Sequence, residues 1–150
     1  MEIAIVVDKI KKDQMLFDIK NQCAKHNIIV YSNKETYLNY NLGFTVLTYY
    51  DIWNSSASFH IATCIKSAEK LLSNPKIDKF YFYIWDLEWN RKLYDYDFLS
   101  KIYLNEKAIL VARSKSHADV INLVWNRECF IMEDFSFDML LEQVNEKINI

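Results

Sequence analysis

The sequence predicts an α/β fold of the doubly wound class, a mostly parallel sheet with helices on both faces. Three observations predict it. Short apolar runs recur along the chain at Ile3–Val7, Phe59–Ala62, Phe80–Trp85, Ala108–Ala112 and Cys129–Met132. Four of these five runs are followed by a stretch with helical spacing, and strands that alternate with helices argue for parallel βαβ units. Each run also stops at a polar side chain: Asp8, Thr63, Asp86, Arg113, and the pair Glu133 and Asp134. In open parallel sheets ligands bind beyond the carboxyl ends of the strands, so these residues are expected along one rim.

Taken in order, Ile3–Val7 is continuous, β-branched and short, as a buried strand should be. Lys11–His26 follows with helical spacing through Met15, Leu16, Ile19 and Cys23. Ile28–Tyr31 is a second strand, Lys34–Asn41 a polar loop, and Thr45–Tyr50 a third strand rich in β-formers. Asp51–Ser58 connects to the strand at Phe59, after which Ile65, Ala68, Leu71 and Leu72 mark a helix that Asn74-Pro75 stops. Phe80–Trp85 is an aromatic strand, expected to be central. Asp95–Asn105 is a helix and Ala108–Ala112 a strand. Ser116 is placed to cap the next helix, with Val120, Ile121, Val124 and Trp125 facing inward. Cys129–Met132 is the last strand and Phe137–Val144 the last helix. The architecture expected is Rossmann-like. One sequence does not reveal the strand order.

With 150 residues, the chain fits one domain, residues 1–150. A hydrophobic content of 51% excludes wholesale disorder. The net charge of −2 provides no basic surplus for a polyanion, so nucleic acid is disfavoured as a partner. Cys23, Cys64 and Cys129 are scattered and odd in number, which suits reduced thiols. His26 and His60 lack ligand spacing and are assigned no metal role, and no residue is assigned as a metal ligand. No run reaches the ~18 apolar residues of a membrane span, and the start lacks the features of a signal peptide. A cytoplasmic location without membrane contact is expected. Gly43 and Pro75 are the single residues of their types, so Asn is expected to fill left-handed turns.

Four segments carry candidate chemistry. Asp8 ends the first strand, where dinucleotide and P-loop sites need glycines that are absent here. In Tyr83–Trp89, Asp86 and Glu88 alternate with tryptophans. If the strand persists, both acids share one side and could act as catalytic carboxylates, contact a sugar, or hold a divalent ion through hard oxygens. Arg113, Ser114, Lys115, Ser116 and His117 join a strand to a helix start and can form a phosphate site from basic side chains, hydroxyls and helix amides. Glu133 and Asp134 can accept ribose hydroxyls. The competing reading of each segment is structural: capping, core closure and solvated charge.

The stretch Ile109–Leu140, with A-R-S-K-S-H-A-D-V-I, V-W-N-R and F-I-M-E-D-F, resembles part of the nucleotide-sugar-binding half of GT-B glycosyltransferases. The whole chain, with F-Y-x-W-D-L-E-W in its middle, resembles short glycosyltransferase-like proteins of tailed phages. The resemblance implies that Arg113 and Lys115 face donor phosphates and that Glu133 or Asp134 faces the ribose. It also implies a nucleotide or nucleotide sugar as ligand, and a host cytoplasm if the chain is phage-encoded. A complete GT-B enzyme reacts between two such domains. This chain has room for one, so glycosyl transfer would require a homo-oligomer to rebuild the cleft. The alternative is a non-catalytic interaction protein that binds a host or phage protein through Tyr37, Tyr40, Tyr49, Tyr50, Trp53 and Tyr94. A receiver-like regulator, with Asp8 and Asp51, fits less well because a paired acid after the first strand is absent.

Overall fold

The computed structural model describes residues 1–34, 42–91 and 93–150. Seven strands form one parallel sheet: β1 (Glu2–Val7), β2 (Asn27–Ser32), β3 (Thr45–Thr48), β4 (Phe59–Ala62), β5 (Phe80–Ile84), β6 (Ala108–Ala112) and β7 (Phe130–Ile131). Their order is β3-β2-β1-β4-β5-β6-β7, and every pairing is parallel. The chain winds outward from β1 to β3, returns to place β4 beside β1, and winds the other way to β7. The fold is α/β and Rossmann-like, as the alternation of strands and helices predicts.

Side-chain alternation along each strand splits the interior into two cores. On one face, Ile3, Ile5, Val7, Tyr83 and Val111 pack with Leu16 and Ile19 of α1 (Gln14–Gln22) and with Phe137 and Leu140 of α6 (Phe137–Ile148). On the other, Ala4, Val6, Phe80, Phe82 and Leu110 pack with α2 (Ile65–Leu72), α4 (Tyr96–Tyr103) and α5 (Lys115–Trp125). Strands buried on both faces explain the continuous apolar runs. Helices therefore cover both faces.

Several element limits differ from the sequence expectation, each for a local reason. The helix expected from Lys11 starts at Gln14, because the Asp13 carboxylate accepts the Leu16 N–H at 3.1 Å. The third strand stops at Thr48. There the Asp51 carboxylate takes the Thr48 N–H and hydroxyl and turns the chain into a 3₁₀ segment, Tyr49–Asn54. The strand at Phe80 ends at Ile84, and Glu88–Arg91 coils into a short helix, α3. Asp86 and Glu88 therefore do not share a strand face. Leu87 and Trp89 pack into the α2/α4 core, whereas Trp85 joins the α1/α6 core. Ser114, not Ser116, caps α5, its Oγ accepting the His117 N–H at 3.2 Å. The last strand is Phe130–Ile131 only, and the last helix runs to Ile148. Asn126 takes a left-handed conformation with φ of 52° to end α5, an asparagine in the place of glycine.

At the β7 border, the Gln143 side chain of α6 pairs with Ile131 as a peptide unit would. Its Oε1 accepts the Ile131 N–H at 2.8 Å and its Nε2 donates to the Ile131 carbonyl at 2.5 Å. Of the candidate interface residues, Tyr49 is core, Trp53 packs on the core, and Tyr94 stacks on Phe98. Tyr50 is exposed. Tyr37 and Tyr40 lie outside the described residues. Among the described residues no helix is long and apolar enough to cross a membrane.

Candidate functional site

A cleft of about 440 Å³ opens beyond the carboxyl ends of β5, β6 and β7, on the α1 side of the sheet. That volume suits a small-molecule ligand. Its floor is Tyr83 and Trp85, delivered by the end of β5. One wall is Arg113, Ser114, Ser116 and His117, where β6 passes into α5. Glu133 and Asp134, in the turn after β7, form the acidic wall, and Gln14 of α1 completes the lining.

Arg113 is held in place by its neighbour. Its Nη1 donates to the Trp85 carbonyl at 3.2 Å, and its guanidinium lies 4.4 Å from the centroid of the Trp85 ring. A cation held over an indole face is fixed without being neutralised, so its remaining N–H groups stay free to bind an anion. Beside it the Ser114 and Ser116 hydroxyls share a hydrogen bond of 3.0 Å at the first turn of α5, where the helix dipole favours negative charge. The His117 Nδ1 is buried without a hydrogen-bond partner. Burial, then the Arg113 charge, pull its titration below the ordinary histidine value, with Asp86 opposing. Its imidazole is therefore neutral at neutral pH.

The acidic wall rests on a strained turn. Asp134 has φ of 50° and Phe135 φ of 54°. An L-residue with a bulky side chain avoids that region, at a cost of ~1–3 kcal/mol. Phe135 offsets the cost by complete burial. It meets Tyr83 edge to face at 4.6 Å between centroids and also contacts Trp85 and Phe137. Burying this one ring aims both exposed carboxylates at the cleft.

The sequence reading missed Asp18. It lies on α1, is only 3% exposed, and accepts the Gln14 amide at 2.7 Å through Oδ1. Its Oδ2 is buried without a partner. The available signal was position: Asp18 stands three residues after Met15 and beside Ile19, on the inward stripe. Burial lifts its titration above the ordinary carboxylate range. The Gln14 hydrogen bond opposes this and the Asp134 charge adds to it. Below an ordinary value of about 4, the group is protonated folded and unfolded. As pH rises through the lifted value, the fold carries a growing desolvation cost. Asp18→Asn is therefore expected to raise the melting temperature near neutral pH and to lose that gain in acid. Thermal melts from about pH 3 to about pH 7 check this, and a gain equal at both ends contradicts it.

The other sequence candidates lie elsewhere. Asp8 is on the same carboxyl edge but over β1 and β2, with Asn33 at 2.9 Å and Lys34 at 3.1 Å. Burial, the largest single effect, pushes its titration up, but the hydrogen bonds from Asn33 and Lys34 and then the Lys34 and Lys66 charges together hold it below the ordinary carboxylate value. Lys115 pairs with Asp119 one turn along α5 rather than facing the cleft. Asp86 pairs with Arg91. Glu88 is buried in the opposite core, and its Oε1 accepts the Ile65 N–H at 2.9 Å. Thr63 is also structural, its hydroxyl donating to the Val6 carbonyl at 2.9 Å. Among the described residues no group of three or more His, Cys, Asp or Glu side chains is placed to hold a metal ion. Cys23, Cys64 and Cys129 are free thiols, and burial pushes Cys129 up to about 11. No family model, curated protein or solved structure matches this chain.

Proposed function

We propose that the cleft beyond β5–β7 binds a nucleotide or nucleotide sugar. One observation carries this reading: Arg113 and the serine-lined start of α5 share a single ligand-sized space with Glu133 and Asp134. The first group supplies fixed donors for phosphate oxygens. The second supplies acceptors for ribose or sugar hydroxyls. In glycosyl transfer, Arg113 and the α5 amides would stabilise the diphosphate as it leaves. The neutral His117 imidazole would be available to accept the acceptor's proton. Glu88 has no part in this chemistry because its carboxylate holds the start of α2. A second copy of the chain would complete an acceptor side.

Calorimetric titration with UDP-, GDP- and ADP-sugars tests the proposal. Binding to the wild type is expected, and Arg113→Ala should weaken it by at least about tenfold, the cost of losing one charge-assisted contact. The melting temperature of that variant should stay close to wild type, since the side chain is exposed. No heat from any of the ligands at millimolar concentration removes the proposal.

A further inference from the structure

The charges around the cleft do not suit a phosphate ligand alone. Among the described residues Arg113 is the one cationic side chain lining it, and His117 is neutral near pH 7. Against that single charge stand Glu133 and Asp134 in the wall and Asp18 behind Gln14. A ligand that carried only negative charge would gain at Arg113 and lose at the acids, since like charges in a partly enclosed site repel strongly.

Two buried polar atoms mark the acidic end as incomplete. The Tyr83 side chain is fully buried and forms the cleft floor. Its hydroxyl lies by the Phe135 backbone but meets no partner at hydrogen-bonding geometry. The Asp18 Oδ2 likewise has none. Buried polar atoms without partners are destabilising, and a donor-rich cation at this end would relieve both.

We propose that the ligand carries a primary ammonium group as well as its phosphate, and that Glu133, Asp134 and Asp18 form the ammonium subsite with the Tyr83 hydroxyl at its floor. The proposal rests on the nucleotide-sugar reading above and narrows it to amino-sugar phosphates. The phosphate sits at Arg113 and the α5 start, and the amine at the acidic wall. The ammonium donates to carboxylate oxygens and accepts nothing, so it matches a wall of acceptors better than a hydroxyl does. The groups facing Asp18 are Asp13 and Gln14 on its own helix, Tyr83 from β5, Arg113 after β6 and Asp134 after β7. Burial lifts the Asp18 titration above the ordinary carboxylate value. The preference for an amine should therefore grow as pH rises from mildly acid to neutral.

Titration with three probes tests the inference: glucosamine 1-phosphate, glucose 1-phosphate and N-acetylglucosamine 1-phosphate. The amine is expected to bind at least about tenfold tighter than the other two, as a charge-assisted contact outranks a neutral one. Glu133→Gln, at an exposed position, should reduce that preference at least severalfold, the amine losing more affinity than glucose 1-phosphate. Asp18→Asn should reduce it too and flatten its pH dependence. Equal affinity for the three sugars, or a preference unchanged in both variants, overturns the ammonium subsite and leaves the nucleotide-sugar reading intact. Binding of nucleotides with no response to any sugar phosphate also overturns the subsite alone. Silence from sugar phosphates and nucleotide sugars alike overturns both.

Discussion

Truncating Phe135 to alanine should destabilise the fold by about 3–5 kcal/mol, as for other fully buried aromatic residues. For a chain of this size that is a fall in melting temperature of roughly 10 °C or more. The ring contacts Tyr83, Trp85 and Phe137, so its loss opens a cavity directly beneath the cleft. A glycine variant separates packing from strain. Phe135→Gly loses the same ring but relieves the φ of 54°, which alanine does not. The glycine variant should therefore be at least as stable as the alanine variant, the reverse of the usual order. Chemical denaturation of the two proteins decides the matter. An alanine variant clearly more stable than the glycine one would mean that backbone strain is not stored in this turn. Both should also bind ligand more weakly, because Glu133 and Asp134 lose their anchor.

Glu88→Ala should cost about 2–3 kcal/mol, the value of a charge-assisted hydrogen bond whose buried partner is then left unpaired. The partner is the Ile65 N–H, the first helical residue of α2. Glu88→Gln keeps an acceptor of the same length at the same place and should recover most of the loss. Nucleotide-sugar affinity of the glutamine variant should match wild type, because Glu88 lies in the core on the opposite face from the cleft. Melting curves and titrations on both variants are sufficient. A glutamine variant that folds normally but loses ligand would return Glu88 to the site.

These two residues show where the sequence was legible and where it was not. The strands and most helices announce themselves through local pattern: a continuous apolar run is dictated by burial on two faces. Arg113, Ser114, Ser116 and His117 were readable because a strand end followed by a helix start is a local event. The same holds for Glu133 and Asp134. That they share a cleft follows from β6 and β7 being neighbours, which is a property of strand order. Strand order also separates Asp8 from them, by placing β4 and β5 between β1 and β6. Glu88 misled because strand alternation was extended past Ile84, where the backbone had begun to coil. Asp18 was passed over because aspartate in a helix is ordinarily solvated; its place beside the inward stripe was the one local signal, and the neighbouring turn that completes its burial is a tertiary feature. The left-handed pair Asp134 and Phe135 contains no glycine to betray it. Only tertiary packing of the Phe135 ring makes that conformation tenable.

The amide of Gln143 has a consequence for how molecules of this protein meet one another. A parallel sheet with an open last strand invites a foreign chain to add itself there, and such recruitment is how many fibrils and swapped dimers begin. Here the peptide group of Ile131 is already engaged on its outward side by its own helix. A visiting segment would first have to dislodge that amide and peel α6 away, so the fold guards this flank against self-templating with one uncharged side chain.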